Sequence, residues 1–582
     1  MARPLTSPRP DARPRALLTL ASLAIALAAA DTYVVVLALT EMMQGVGVGV
    51  ESLQRAAPII SGFLLGYVAV LPLIGRLADL VDLQRVLLGC LAIFVVGSGV
   101  TALATDLPVL VAGRVVQGVG GGGLVPATLA IVAALWPPEA RGMPLGIVGA
   151  VQEFGSVVGP VLGAAILAVA DWRAIFWLNA IAGILLAIAI ARAGRASGAA
   201  AGGAAAGEVS RRHTTGSRAA WVVWGGALGV LWMALAAPEI FATSVALGGP
   251  WVNVADTTAR LATPIGFVAL ALVAGALMWS LWRAWPSLRA AGPLGAALLG
   301  GALGSVILTF AAAEPEKEIV GPLGYALLPV GVLCAAGYAV LHRRSDNPVI
   351  PHGVLGGRTS WALLVSFCVG AALVAIIVNI PLLTRLAHPS GDGVPAYTDA
   401  EGALVLLRFL LAVPVGALVG GWALRRLGDG LVAMIGLACA AVGLALMTAW
   451  GRGIFATFVS VIVLAVTGFG IGLTLAPVNN AALAAVREDA HGAASALVVV
   501  ARMVGMVLGL ALLTAYGLHR YYGIVAGLPD PTDKEALKTA AILQVHAVFW
   551  GAAVAAALGA LASIRLGLRR VGQVEGQHTF GL

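Results

Sequence analysis

Two carboxylates and three arginines lie inside stretches that are otherwise apolar, and these are the positions where chemistry could occur. Asp31 sits in Ala30-Asp31-Thr32-Tyr33-Val34, Glu153 in Gln152-Glu153-Phe154-Gly155, and Arg114, Arg408 and Arg502 in three further apolar runs. A charge at membrane depth costs about 2.5 to 3.5 kcal/mol on insertion scales, so each is a functional candidate by default. A carboxylate shielded from water can take up a proton near neutral pH, and a nearby arginine favours its release. Making and breaking carboxylate–arginine contacts would therefore couple protonation to conformation. Asp31, Glu153, Arg114, Arg408 and Arg502 are read as a proton-coupling set, against the static alternative of permanent ion pairs joining helices. His546 reads as a satisfied interfacial histidine rather than a relay.

A second group has mechanical rather than chemical character. Gly155, Gly159 and Gly163 recur every four residues, which strips one helix face of side chains and lets a neighbour approach. Pro160, within the same stretch, removes a backbone hydrogen bond and bends the helix. Two loops at matching places also look alike: Gly75-Arg76-Leu77-Ala78-Asp79 leading to Arg85, and Gly420-Gly421-Trp422-Ala423-Leu424-Arg425-Arg426. Gly75, Asp79, Arg85, Gly155, Gly159, Pro160, Gly163, Arg425 and Arg426 are the expected gating residues.

Other chemistries find little support. Gly118 to Gly123 contains GxGxxG only through glycine richness, with no preceding strand, and no GxxxxGK[ST] occurs, so neither a dinucleotide nor ATP has a site. Energy is expected from an ion gradient and no cofactor is expected. The four cysteines stand singly in apolar runs without CxxC, which argues against a zinc site or disulfides.

The elements that must carry these residues follow from composition. Of 582 residues, 60% are hydrophobic and 11% charged, against roughly 25% charged in soluble domains, and the mean hydropathy is +0.98. That excludes a soluble or disordered chain and leaves an all-α polytopic membrane protein. The net charge of +8 lies in short clusters between apolar runs, as cytoplasmic loops require, rather than on a nucleic-acid-binding face.

Apolar runs long enough to span a bilayer fall near 16–42, 55–74, 86–104, 107–135, 144–168 and 172–192. Four more lie near 219–246, 261–284, 291–313 and 321–341, and six near 360–383, 402–424, 431–450, 453–478, 492–517 and 541–564. Flanking charges alternate between basic loops and loops bearing Asp256 or the acidic Glu314 to Glu318. Arg3, Arg9, Arg13 and Arg15 at the start, and Arg565, Arg569 and Arg570 at the end, place both termini inside.

The organisation is therefore a six-helix bundle over 1–192, an Ala/Gly/Ser linker over 193–218, extra central helices over 219–341, a basic cytoplasmic linker over 342–359, and a second six-helix bundle over 360–582 with an outer extension at 518–540. That makes sixteen helices; fourteen is the alternative if the Trp-rich 219–284 pair is re-entrant or peripheral. Two related bundles suit a transporter that rocks one half against the other.

The chain resembles the major facilitator superfamily over nearly its whole length. Gly75-Arg76-Leu77-Ala78-Asp79-Leu80-Val81-Asp82-Leu83-Gln84-Arg85 is similar to that family's signature loop, although Leu80 and Asp82 depart from it. Arg114, Gln117 and Gly118 match its RxxxG element, and Gly155 to Gly163 resembles the antiporter motif of its exporters. Asp171 to Asn179 looks like the start of the sixth helix in the drug:proton antiporter group with additional central helices. Within that group, Asp31 to Val36, the Gln152-Glu153 pair and Ala501 to Met506 are similar to the actinobacterial triacylglyceride exporters.

The resemblance implies a major facilitator fold, proton coupling through the matching acidic and arginine positions, and a periplasmic lipoprotein as partner. The expected function is proton-driven export of lipophilic molecules, triacylglycerides foremost, from the plasma (inner) membrane by a monomer surrounded by membrane lipids. A multidrug:proton antiporter is the alternative within the class. A membrane-embedded lipid-modifying enzyme would need clustered His/Asp at one membrane face, and a transporter-like sensor would need a soluble output domain; the sequence shows neither.

Overall fold

In lipid, a backbone must satisfy its own polar groups, and long apolar runs do so by coiling. The computed structural model describes residues 12–48, 53–201, 206–236, 245–246, 249–250, 260–311, 324–345, 347–386, 399–530 and 532–567. The first bundle comprises α1 (Ala12–Gly45), α2 (Leu53–Leu80), α3 (Leu83–Ala102), α4 (Leu107–Leu135), α5 (Gly142–Leu167) and α6 (Arg173–Ala201). The central helices are α7 (Ala206–Ala236), α8 (Pro264–Ala290), α9 (Pro293–Ala311) and α10 (Gly324–Arg344). The second bundle comprises α11 (Gly357–Leu386), α12 (Asp399–Leu427), α13 (Asp429–Met447), α14 (Phe458–Ala484), α15 (His491–Val525) and α16 (Lys534–Ser563).

Fifteen of these helices are long and apolar enough to cross a membrane. The one short of that is α7, whose apolar part is Val222–Ala236. The helix expected over 219–246 thus ends at Ala236, and Val245–Ala246 instead pairs antiparallel with Gly249–Pro250. The segment 193–218, expected as a flexible linker, is helical wherever it is described, because alanine's helix propensity outweighs the interspersed glycines. Helices α2 and α12 also run further than the apolar runs suggest, so Gly75, Asp79, Arg425 and Arg426 lie on last turns rather than in loops. Arg3, Arg9, Asp256, Glu314 to Glu318, Arg569 and Arg570 lie outside the described residues.

The two bundles repeat one set of pairings. The second helix packs on the fourth (α2 on α4, α12 on α14), the first on the fifth (α1 on α5, α11 on α15), and the third on the fourth and sixth. Glycine makes the closest of these approaches possible. Gly118 and Gly122 of α4 sit against the backbone of Phe63 and Tyr67 in α2, and Gly468 and Gly472 of α14 sit against Phe409 and Val413 in α12. A Cβ at any of the four would strike a carbonyl oxygen. The glycine-rich run of α4 is therefore a packing surface.

The halves meet along two seams, α2 with α15 and α5 with α12. The central helices form two hairpins. α7 pairs with α8, where Trp224 Nε1 donates to Ser280 Oγ over 2.9 Å, and α9 pairs with α10 and lies against α2 and α15. Beyond the second bundle's fifth helix, Asp533 caps α16 by accepting from the N–H groups of Glu535 and Ala536. In the same turn the hydroxyl and N–H of Thr532 hold the exposed Asp530 carboxyl below its ordinary range. Arg452 ties this hairpin to the bundle through Glu535 at 2.5 Å.

Candidate functional site: two buried ion pairs

Asp31 lies near the middle of α1 and is fully buried. Its Oδ2 accepts from Arg114 Nη1 of α4 at 2.6 Å, and its Oδ1 accepts from Gln117 Nε2 of α4 at 2.8 Å and Asn179 Nδ2 of α6 at 2.6 Å. Arg114 and Gln117 are one turn apart on α4, so both reach the same carboxylate. The arginine also donates to Gln117 Oε1 at 2.7 Å and to the Ile59 carbonyl at 3.3 Å, and its guanidinium stands 4.5 Å from the Phe63 ring centroid. Gln117 in turn donates to Ser98 Oγ at 3.0 Å. A buried ion pair is tolerable only when its remaining donors and acceptors are satisfied, and here the network that does so spans five helices of one half, α1, α2, α3, α4 and α6.

The second pair is different in kind. Glu153 Oε1 of α5 is 3.9 Å from Arg502 Nη1 of α15, so this contact crosses from one half to the other. It is looser, an ion pair beyond hydrogen-bond distance, and Glu153 Oε1 accepts from Gln152 Nε2 at 3.4 Å. Both side chains remain about 10% exposed, and Arg502 lines a cavity together with Leu145, Gln152, Val369, Leu475 and Asn479. Ser366 and Thr474 add polar groups to that lining, and Val125, Leu129 and Val148 add apolar ones. Tyr33 and Tyr67 lie close enough to interact electrostatically with both charges.

The structure does not bring Arg408 to either carboxylate. Its Nη1 donates to the Phe455 carbonyl at 3.3 Å and to Ser460 Oγ at 3.2 Å, inside the second half. His546 Nε2 similarly meets the Trp450 carbonyl at 2.8 Å.

The gating candidates fall into three places. Asp79, on the last turn of α2, accepts from the N–H of Gly492 at 2.6 Å and of Ala493 at 3.1 Å. Helix α15 has no side-chain cap of its own, so a carboxylate from the opposite half satisfies its free N–H groups and faces the positive end of its dipole. Gly75 lets this happen: a Cβ there would lie 2.7 Å from the Gly492 carbonyl oxygen and 2.6 Å from the Ala496 side chain. At the other seam Gly142 and Gly421 approach in the same way, with a Cβ on Gly142 falling 2.5 Å from the Gly421 oxygen.

Gly155, Gly159 and Gly163 instead face Ala26, Ala30 and Val34 of α1, so the stripe beside Pro160 is a contact within one half. Arg85 is exposed and only its backbone N–H is held, by Asp82 Oδ1. Arg425 and Arg426 are exposed at the end of α12, with Arg426 stacked over Trp422 at 4.5 Å.

Paired six-helix repeats meeting along two glycine seams, with charges buried at their centre, are the architecture of one transporter family. The model of the Major Facilitator Superfamily matches residues 21–342, more than half the chain. The chain belongs to the major facilitator superfamily. It is a multi-pass membrane transporter and not an enzyme.

Relatives in this superfamily include a triacylglyceride transporter of Mycobacteroides abscessus, 34% identical over 88% of this chain and 85% of its own length. Others are a triacylglyceride transporter of Mycolicibacterium smegmatis, 32% identical over 96% and 88%, and one of Mycobacterium tuberculosis, 32% identical over 92% and 90%. Among solved structures, the human organic anion transporter MFSD10 has a TM-score of 0.53 at 14% identity, covering 96% of this chain and all of that one. A proton:xylose symporter has a TM-score of 0.52 at 12% identity, covering 95% of each. These structural likenesses extend to the fold.

Sequence reasoning singled out both carboxylates and their arginines but not Gln117, Asn179 and Ser98 as members of the site. Each is a polar residue embedded in an apolar run, a weaker form of the signal that exposed Asp31. Uncharged side chains are cheaper to insert, so they stand out less.

Proposed function

We propose that this transporter is a proton-coupled exporter of lipophilic molecules, with triacylglycerides as substrate, working by alternating access. The observation that carries the reading is the Glu153–Arg502 contact, a carboxylate–arginine pair shared between the two halves beside a cavity that Gln152 and Arg502 line. Protonating Glu153 removes the attraction that holds the halves at this point, so proton uptake and rearrangement of the halves become one event. Asp31 and Arg114 form a second, enclosed pair deeper in the first half, which would hold the proton-responsive charge balance of that half.

The basic ends of α2, α5, α12 and α15 are closed upon one another. With the basic loops taken to face the cytoplasm, this reading puts the closed gate on the cytoplasmic side. The relatives' names as triacylglyceride transporters support a lipid as the substrate.

Purified protein in liposomes under an imposed pH gradient, offered a fluorescent triacylglyceride and a cationic dye in parallel, tests this. Gradient-dependent movement of the lipid supports the reading. Movement of the dye alone would replace it with a multidrug antiporter.

A further inference from the structure

Both seams close at their basic ends through a glycine contact, but they differ further along. Helix α9 lies over one of them. Gly300 of α9 packs against α2 so closely that a Cβ would fall 2.8 Å from the Ala69 carbonyl oxygen, and a Cβ on Gly304 would fall 2.7 Å from the Leu65 side chain. Leu299 of α9 joins the apolar cluster that includes Ala494 and Leu497 of α15. Ile307 of α9 is 1% exposed, within the cluster holding Val499 and Val500. Small residues at the contact and large ones flanking it are how helices bind tightly in lipid.

Exposure follows this covering. From residue 59 to 79 on α2, and from 491 to 511 on α15, no residue is exposed. The other seam behaves differently. Gly146 of α5 is pressed against Ala417 and Gly421 of α12. Ala164, five helical turns further along the same face of α5, is exposed, and so is Ala403 on the corresponding face of α12. These two outer faces are therefore uncovered, whereas on the covered seam exposure begins only at Pro58 of α2 and Leu512 of α15. Among the described helices, none of α7 to α10 packs extensively on α5 or α12.

We infer that the central helices wall off the α2/α15 seam, so that lipid passes between the cavity and the bilayer on one side only, through the α5/α12 seam. The physical reason is the substrate's shape and solubility. A molecule with several long acyl chains cannot leave through water, so it needs a lateral opening to hydrocarbon or to an acceptor. A transporter with two equal openings would also let bilayer lipid short-circuit through the cavity. This inference rests on the proposed lipid substrate.

The test is photolabelling of the full chain in nanodiscs with a diazirine-bearing triacylglyceride, with labelled peptides mapped by mass spectrometry in the presence and absence of excess unlabelled triacylglyceride. Competable labelling is expected around Ala164 and Ala403 and absent from the α2, α9 and α15 peptides. The Ala164→Trp/Ala403→Trp variant should lose that labelling and at least five-fold of its gradient-driven lipid transport. Locking α9 to α2 by a disulfide in Leu65→Cys/Gly304→Cys should leave transport within two-fold of wild type. Competable labelling along α2 and α15, or loss of transport on locking α9, would overturn the one-sided route while leaving the lipid substrate standing. Labelling that is uniform over α8, α10 and both seams and cannot be competed would instead overturn the lipid reading, and the route with it.

Discussion

Glu153 and Arg502 face each other at 3.9 Å across the boundary between the two six-helix halves, each mostly buried and each contributed by a different half. Asp31 and Arg114, at 2.6 Å, belong to one half. That difference in placement separates a contact that must change when the halves move from one that can persist.

Glu153→Gln and Arg502→Gln should each reduce gradient-driven transport at least ten-fold, equivalent to about 1.4 kcal/mol. Arg502→Lys should recover part of the loss, since an ammonium restores the charge without the guanidinium's planar fork. Flux in liposomes measures this; wild-type rates in Glu153→Gln across pH 6 to 8 would remove Glu153 from the coupling scheme.

Asp31→Asn leaves the Arg114 guanidinium buried without its carboxylate. The expected cost is about 3 to 5 kcal/mol of stability, read as a drop in melting temperature of detergent-solubilised protein. Arg114→Gln/Asp31→Asn, which removes both charges, should regain much of that stability. The double variant should still lose the dependence of transport on the imposed pH gradient. A double variant that kept wild-type pH dependence would make this pair purely structural.

Asp79→Asn weakens the charged cap that α2 supplies to α15. Caps and dipole contacts of this kind are worth about 0.5 to 2 kcal/mol, enough to shift the populations of closed and open basic ends several-fold. Spin labels at Leu80 and Arg487, both exposed at that end, should report a longer-distance population that grows in the variant. An unchanged distance distribution would mean that the cap does not hold the gate.

Among the described residues, Arg408 donates to neutral oxygens within the second half. Arg408→Gln should therefore keep pH-gradient dependence and lose about 1 kcal/mol of stability. A collapse of coupling in this variant, with the protein still folded, would show that Arg408 reaches a carboxylate in another conformation.

Gly159→Val should destabilise the first half strongly, because α1 backbone at Ala30 occupies the space a side chain needs; overpacking of this kind costs about 1 to 3 kcal/mol or more. Gly99→Ala on α3, with no atom within 4 Å of the new methyl group, should be neutral or slightly stabilising. Thermal unfolding of the two variants side by side checks the contrast.

Much of this molecule was legible in the chain itself. Long apolar runs dictate membrane helices because lipid offers the backbone no other partner. Asp31, Arg114, Glu153 and Arg502 announce themselves because charge is costly in such runs. The extents of α2 and of the helical stretches described within 193–218 were not legible, because polar last turns and alanine-rich stretches carry no hydropathy signal.

Tertiary structure decided which charges meet. Nothing in the spacing of Arg114, Arg408 and Arg502 says that the first joins Asp31, the third joins Glu153 and the second joins neither; that depends on how helices up to several hundred residues apart are laid side by side. It also decided that Asp79 caps a helix 413 residues away and that α9 covers one seam and not the other. Hydropathy is a property of each segment alone. Pairing, gating and sidedness are properties of the contacts between segments, and those exist only once the chain is packed.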